Sequence, residues 1–148
     1  MFVYFSLRYF STARYSVEVG LEDGKIPNRA FTASSKWDRY HRANRARLNT
    51  VANRRYRGAW SARKNNRRQW IQVRLGRRTR ITGVVTQGRQ DANQWVTSYS
   101  ISYSLNGRTF RPYRENGRVK VTILVQCVLK KIGLFGYVYE SLLTSKYQ

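Results

Sequence analysis

Side chains able to carry out covalent or metal chemistry are scarce in this sequence. It has one histidine, His41, one cysteine, Cys127, and seven acidic residues spread between Glu18 and Glu140. Hydrolysis and group transfer need imidazoles, thiols or carboxylates gathered in one pocket, and a zinc site needs about four ligands. We therefore expect no enzyme, no catalytic residues, no metal site and no cofactor. A lone cysteine also excludes an internal disulfide.

Basic residues are abundant instead. The 148-residue chain carries 29 Lys and Arg against 7 Asp and Glu, a formal net charge of +22. Such a charge attracts phosphodiesters, sulfated glycans and acidic lipid headgroups. The excess is densest over residues 36–89, where seventeen Lys and Arg accompany one acid, Asp38. Fifteen of these are Arg, which pairs bidentately with phosphate and sulfate. The alternative interpretation is a solvated charged surface that keeps the protein soluble, which would contain as many basic residues.

The elements that must position these residues are predicted to be strands. With 41% hydrophobic and 14% aromatic residues, the chain can bury the core of one domain. Period-two alternation predicts strands over 69–75, 79–87 and 95–104. Only residues 43–48 suggest a turn of helix. Short strands at this spacing indicate an all-β sandwich or barrel.

Two Asn-Gly pairs predict tight turns. Asn106-Gly107 and Asn116-Gly117 each follow a β-like segment. Both central residues of a type I′ turn have positive φ, which Asn and Gly tolerate best. We expect residues 109–113 to return antiparallel to the strand that precedes Asn106.

Neither end of the chain predicts a membrane span or a good signal peptide. The apolar stretch 1–10 contains Arg8, whereas a signal peptide places its positive charge before an uninterrupted run of ~7–15 apolar residues. The stretch 121–129 is apolar for nine residues, well short of the ~20 that a membrane helix needs.

Nine short motifs resemble the discoidin domain, also called the coagulation factor 5/8 type C domain. Each alone is weak, but nine in the family's order and spacing are specific. The resemblance covers about residues 20–121 and implies an eight-stranded antiparallel jelly-roll barrel whose ligands bind loops at one end. The motifs are GKIP (24–27), FTASS (31–35), ARLN (46–49), GAW (58–60), QWIQVRLG (69–76), TGV (82–84), TQGR (86–89), WVTSY (95–99) and YSLNG (103–107).

The resemblance also implies a location and a ligand class. Discoidin domains occur in secreted or cell-surface proteins and hold them to glycans, acidic phospholipids or other proteins, so we expect an extracellular or cell-surface location. A barrel closes its sheet edges and leaves rigidly mounted loops free to vary. Recognition is therefore expected in the loops.

Three loops correspond to the family's binding loops. The first follows Ser34-Ser35, the second spans 53–57 and the third follows Gly88. Aromatic rings stack on sugars or insert among lipid headgroups, while Arg pairs with phosphate or sulfate. The candidate ligand-binding residues are Trp37, Arg39, Tyr40, His41, Arg54, Arg55, Tyr56, Arg89, Asp91 and Asn93.

Several of these residue types have a structural interpretation as well. Trp37 and Tyr40 could pack within their own loop, and His41 is expected to hydrogen-bond the loop rather than bind a metal. The tryptophans in motif positions are assigned to the core. These are Trp60, Trp70 and Trp95.

The chain departs from the family pattern in two places. Arg74 stands where the family carries an acid, and the family's terminal cysteine pair is absent. After residue 121 the resemblance ends, which predicts an unmatched N-terminal extension over 1–19, a partial discoidin domain over 20–121 and an unmatched tail over 122–148. The jelly roll is then incomplete, unless the tail supplies one strand.

These observations predict a non-enzymatic extracellular binding or adhesion module. Its ligands are expected to be anionic glycans or acidic phospholipid headgroups, with cell-surface proteins as a further class of partner. The alternative is a basic nucleic-acid-binding protein, because Lys and Arg neutralise phosphates and aromatic rings stack on bases. No RNA-binding sheet signature or helix-turn-helix accompanies the charge.

Overall fold

The structure, a computed structural model, describes residues 6–10, 16–18, 23–123, 132–139 and 142–146. Within these ranges the chain forms strands and two short 3-10 helices, Asn28–Ala30 and Ala43–Ala46. The second helix falls within the predicted turn at 43–48. The strands are β1 (Ser6–Phe10), β2 (Ser16–Glu18), β3 (Phe31–Ala33), β4 (Trp70–Arg74), β5 (Arg80–Thr86), β6 (Ser98–Tyr103), β7 (Arg111–Pro112), β8 (Arg114–Glu115), β9 (Arg118–Val119), β10 (Val121–Ile123), β11 (Ile132–Tyr139) and β12 (Leu142–Lys146).

The strands form two main antiparallel sheets. One has the order β11-β5-β1-β2, and the other has the order β10-β6-β12-β4-β3 with β7 beside β6. A separate small hairpin pairs β8 with β9. The predicted all-β antiparallel fold is confirmed, and β4, β5 and β6 lie inside the three segments that alternation indicated.

The core is built from residues that point between the sheets. In β4 the burial alternates, so that Ile71 and Val73 are buried while Gln72 is half-buried and Arg74 is exposed. Trp60 is fully buried, and its Nε1–H donates to the carbonyl oxygen of Ser35 at 2.9 Å. A buried indole needs such a partner. This bond ties the core to the start of the first loop.

Two of the three tryptophans assigned to the core are only half-buried. Trp70 precedes the inward-facing Ile71 in β4 and therefore lies on the opposite face of the strand. Trp95 lies in the loop before β6, and the neighbouring Val96 occupies the buried position instead. The assignment was correct for Trp60 and wrong for the other two.

The two Asn-Gly pairs form different turns. Asn116 and Gly117 have φ of 50° and 76° and join β8 to β9 as a two-residue hairpin, as expected of a type I′ turn. At the other pair only Gly107 has positive φ, 69°. There the side chain of Asn106 accepts hydrogen bonds from the backbone N–H groups of Arg108 and Thr109. The loop is therefore wider than predicted, although β7 does return antiparallel to β6.

Both segments that lay outside the motif region contribute strands. β1 and β2 belong to the segment 1–19, and β1 pairs with β5. From the tail, β11 pairs with β5 and β12 lies between β4 and β6. Within the described residues, the tail therefore contributes β11 and β12 to the two main sheets.

The strand registers define two opposite ends of the fold. β3 ends at Ala33 beside Ile71, so the long segment 34–69 leaves and re-enters the sheet at one end, called the loop end. Leu143 of β12 pairs with both Val73 and Tyr103, so the connections that follow β4 and β6 lie together at the opposite end, called the far end. The three predicted binding loops are at the loop end.

Candidate functional site

The first loop, residues 34–41, is held by its own acid. Asp38 Oδ1 accepts the backbone N–H groups of Tyr40 at 2.7 Å and His41 at 3.0 Å, and it lies 2.8 Å from His41 Nδ1. Burial raises the pKa of Asp38, but hydrogen bonds from His41 and Tyr40 outweigh that effect and leave the pKa below its ordinary value. His41 is 7% exposed. Its geometry is that of a residue that hydrogen-bonds the loop.

The aromatic residues of this loop differ in availability. Trp37 is 63% exposed, so its ring does not pack within the loop, although its backbone N–H donates to Ser61. Tyr40 is half-buried, and the guanidinium of Arg39 lies 4.8 Å from its ring centre and donates to its hydroxyl oxygen at 2.6 Å. Trp37 is therefore the ring that this loop presents to solvent.

The second loop was predicted at 53–57; in the structure it is continuous with residues 51 and 52, and the name is used below for 51–57. It is organised by Asn53 and Tyr56. Asn53 Oδ1 accepts the backbone N–H groups of Arg55 and Tyr56, and the Asn53 N–H donates to the Tyr56 carbonyl. The ring of Tyr56 lies 4.9 Å from the guanidinium of Arg42 and 5.8 Å from that of Arg45. Tyr56 is thus already in contact with two cations.

The tip of the second loop is exposed and basic. Val51 is 62% exposed, and Arg45 Nη2 donates to its carbonyl oxygen at 2.5 Å, which fixes the backbone there. Arg54 and Arg55 are exposed, and the described part of the chain gives neither side chain a hydrogen-bond or ion-pair partner. These two guanidinium groups are free to bind an anion.

The third loop, residues 88–94, contains an internal ion pair. Arg89 donates from Nε to Asp91 Oδ1 at 2.6 Å and from Nη2 to Asp91 Oδ2 at 2.8 Å, and its Nη1 donates to Gln94 Oε1 at 2.8 Å. The Arg89 side chain is 11% exposed. The hydrogen bonds from Arg89 outweigh burial and hold the pKa of Asp91 below its ordinary value. Both residues therefore hold the loop together, and Asn93 nearby is exposed.

The fold brings the three loops into contact. The Arg57 N–H donates to the Tyr40 carbonyl, which joins the first and second loops. The Asn49 N–H donates to Gln87 Oε1 at 2.9 Å, so the chain before the second loop touches the chain before the third. Gly58 lies so close to Asp91 that a Cβ placed on it would be 2.7 Å from Oδ1. The three loops that carry the predicted site residues are thus adjacent, although His41 and the Arg89 side chain are themselves nearly buried.

A further basic loop at the same end was missed by the sequence analysis. Residues 63–68 carry four exposed cations and no acid. The sequence motifs do not indicate a binding role for these residues, because the family motifs on either side, at 58–60 and 69–76, do not include them. The two pairs of adjacent basic residues in RKNNRR (63–68) were the sequence feature that could have indicated this loop as a binding surface. The cations are Arg63, Lys64, Arg67 and Arg68.

The described ranges contain neither a metal-binding cluster nor a membrane-spanning helix. Among the side chains there, no three His, Cys, Asp or Glu lie close enough to hold a metal ion. No helix in those ranges is long and apolar enough to cross a membrane. Cys127 lies outside the described residues.

Known proteins resemble this chain in sequence and in fold. The pattern of the F5/8 type C domain matches residues 30–129. Coagulation factor V of Mus musculus is 42% identical over 106 residues, which cover 68% of this chain and 5% of factor V. EGF-like repeat and discoidin I-like domain-containing protein 3 of Homo sapiens is 39% identical over 110 residues, which cover 67% of this chain and 22% of that protein. The chain thus spans a small part of these relatives.

A solved structure extends the likeness to three dimensions. Discoidin II from Dictyostelium discoideum superposes with a TM-score of 0.71 over 80% of this chain and 48% of that chain. The sequences are 19% identical, so this likeness bears on the fold alone.

Proposed function

The chain belongs to the F5/8 type C domain family, whose members are extracellular carbohydrate- or phospholipid-binding modules, and from this premise we propose that it binds acidic phospholipid surfaces without catalysis. The ligand-binding residues are Trp37 and Val51 with Arg54 and Arg55. An extracellular location follows from the same proposal.

One observation carries the proposal. Trp37 and Val51 are each more than 60% exposed on neighbouring loops, and the second loop adds two unpaired arginines. Large apolar side chains gain free energy when they enter the interfacial region of a bilayer, and indole favours that depth. Each basic residue near an anionic leaflet contributes ~1 kcal/mol. Exposed apolar side chains beside exposed arginines are therefore suited to binding a membrane that contains acidic lipids.

The remaining predicted site residues support the loops in this proposal. His41 and Asp38 shape the first loop, Tyr56 is covered by Arg42 and Arg45, and Arg89 is paired with Asp91. With Tyr40 and Tyr56 occupied by arginines, Trp37 remains as the exposed ring of the two loops.

Vesicle binding tests the proposal. Vesicles of phosphatidylcholine with and without phosphatidylserine are mixed with the chain and sedimented. We expect retention on the phosphatidylserine vesicles, and Arg54→Ala/Arg55→Ala should weaken it about ten- to thirtyfold. Trp37→Ser should also weaken it, while Arg77→Ser/Arg78→Ser, a charge-matched change at the far end, should have little effect. Equal retention of all variants would contradict the proposed site.

A basic nucleic-acid-binding protein is the competing function. Retention on single-stranded DNA that exceeds retention on phosphatidylserine vesicles, and that falls steeply with salt, would favour it over the membrane proposal.

A further inference from the structure

An open cleft lies beside the loop end, at the edge of the second sheet. Its volume is about 490 Å³, and it is bounded by β3 and by the 3-10 helix Ala43–Ala46. β3 is the last strand of its sheet within the described ranges. Cavities of ~300–1,000 Å³ are the size of small-molecule sites, which includes one or two sugar rings.

The cleft has an apolar inner part and a cationic outer part. Phe31 is 6% exposed, and Ala33 and Ala43 are half-buried. Lys36 and Arg42 are exposed, and among the described residues no carboxylate lines the cleft. An apolar surface suits the C–H face of a sugar, while the two cations suit its sulfate or carboxylate groups. Thr32, Ser35 and Asn44 are the other polar residues that line the cleft.

The basic loop 63–68 is anchored to the same cleft. The Oγ of Ser35, a lining residue, accepts the Arg63 N–H at 3.0 Å and donates to Gln69 Oε1 at 2.6 Å. Ser35 therefore forms hydrogen bonds with the first residue of the loop, Arg63, and with Gln69, the residue that follows the loop. Inside the loop, Asn66 Oδ1 accepts the Arg68 N–H at 3.0 Å and the Gln69 Nε2–H at 2.8 Å. The loop is ordered by these bonds, and its four cations remain exposed.

We propose that the cleft and the loop 63–68 together form a binding site for a sulfated polysaccharide. One acidic sugar occupies the cleft with its sulfate near Lys36 and Arg42, and the following sulfates of the chain lie along Arg63, Lys64, Arg67 and Arg68. This site uses other residues than the membrane-binding surface. It goes beyond the proposed function and does not depend on it.

The shape of the cleft favours a polysaccharide over the other polyanions. A flat bilayer surface cannot reach the recessed inner part, whereas a sugar ring can. Nucleic acid bases need an exposed aromatic face for stacking, and the aromatic ring that lines the cleft, Phe31, is buried with the guanidinium of Arg47 at 4.5 Å from its centre. Nucleic acid would therefore contact this site through phosphates alone.

Binding of a fluorescent heparin octasaccharide to the full chain tests the proposal. We expect Arg67→Ser/Arg68→Ser to weaken binding about tenfold, from two charge-assisted contacts. The matched control, Arg77→Ser/Arg78→Ser, removes the same charge at the far end and should change binding less than about twofold. Thr32→Trp fills the cleft without a change of charge and should weaken binding at least about fivefold. Completely desulfated octasaccharide should compete poorly.

Three outcomes would overturn the proposal: equal losses in the two arginine pairs, unchanged binding by Thr32→Trp, or a single-stranded DNA of equal charge that binds as tightly with the same dependence on Arg67 and Arg68. Equal losses in the two arginine pairs would show that binding depends on net charge and not on the position of the arginines. The last would assign the site to nucleic acid.

A measurement on the unaltered chain does not depend on the folding of any variant. Acetylation of lysines with and without the octasaccharide should show protection of Lys36 and Lys64 and none of Lys25, whose side chain is 80% exposed. Equal protection of all three would contradict the site. The vesicle experiment tests the membrane proposal separately from the polysaccharide proposal, because Arg54→Ala/Arg55→Ala should weaken vesicle binding and leave octasaccharide binding nearly unchanged.

Discussion

The second and third loops both contain arginine and use it differently. In the third loop, Arg89 is 11% exposed and shares two hydrogen bonds with Asp91. In the second, Arg54 and Arg55 are exposed and unpaired within the described ranges. No acid lies between Asp38 and Asp91 in the sequence, and Asp91, which reaches Gly58 at the end of the second loop, is already paired with Arg89. The availability of an arginine for a ligand therefore depends on whether an acid is within reach.

A similar division exists among the arginines that lie between the first two loops. Arg45 donates to the carbonyl oxygens of Arg57 and Val51, and Arg42 donates to the Arg39 carbonyl. Both also contact the ring of Tyr56. Arg45 thus replaces the secondary structure that these loops lack, Arg42 does so through its Nε alone, and Arg54 and Arg55 remain for ligands. A count of basic residues cannot separate the two groups.

The largest expected effect is the loss of stability in Asp91→Ala. It would leave the nearly buried guanidinium of Arg89 without its carboxylate, and breaking a fully buried ion pair costs ~3–5 kcal/mol. Because Asp91 is partly exposed, we expect the free energy of unfolding to fall by about 2 kcal/mol. Urea denaturation measures it. Arg89→Ala/Asp91→Ala should recover part of the loss, and no loss in Asp91→Ala would mean that the pair is not structural.

Gly58→Ala should have the next largest effect. The new Cβ would lie 2.7 Å from Asp91 Oδ1, so the carboxylate or the backbone must move, at a cost of ~1–2 kcal/mol. In the Asp91→Ala background the same substitution should cost less, because the carboxylate is absent. A double-mutant cycle by urea denaturation measures this coupling. Strictly additive losses would show that Asp91 does not limit the space at Gly58.

The ion pair should also make stability depend on pH. The native pKa of Asp91 lies below the ordinary 3.8, mainly through its hydrogen bonds with Arg89. A lowered native pKa stabilises the fold above the unfolded pKa, and this stabilisation is lost as the pH falls through the native pKa. The difference in unfolding free energy between the unaltered chain and Asp91→Asn should be constant above pH ~5 and narrow below 3.8. A constant difference down to acid pH would contradict the pairing.

The smallest effect on stability is expected for Arg54→Ala/Arg55→Ala. These side chains are exposed and make no described contact, so the urea midpoint should not move. The same variant should lose vesicle binding. A clear loss of stability would mean that the second loop, like the third, uses its arginines internally.

Strand positions and one turn were predictable from the sequence because they depend on local patterns. Alternation over 69–75 and 79–87 located β4 and β5, and Asn116-Gly117 located a hairpin. The nine motifs indicated the family, which the match to residues 30–129 supports. The same alternation, read residue by residue, also places Trp70 on the face opposite Ile71.

Only the tertiary structure decided which site residues are available to a ligand. Arg89 is satisfied because its loop turns back on Asp91, and Tyr56 is covered because Arg42 and Arg45 come from another segment. The loop 63–68 borders a cleft because Ser35, 28 residues before Arg63, accepts a hydrogen bond from it. Composition determines that this chain attracts anions, since net charge is a sum over residues. Where an anion can bind is decided by distances between residues that are far apart in the chain, and no local pattern encodes those distances.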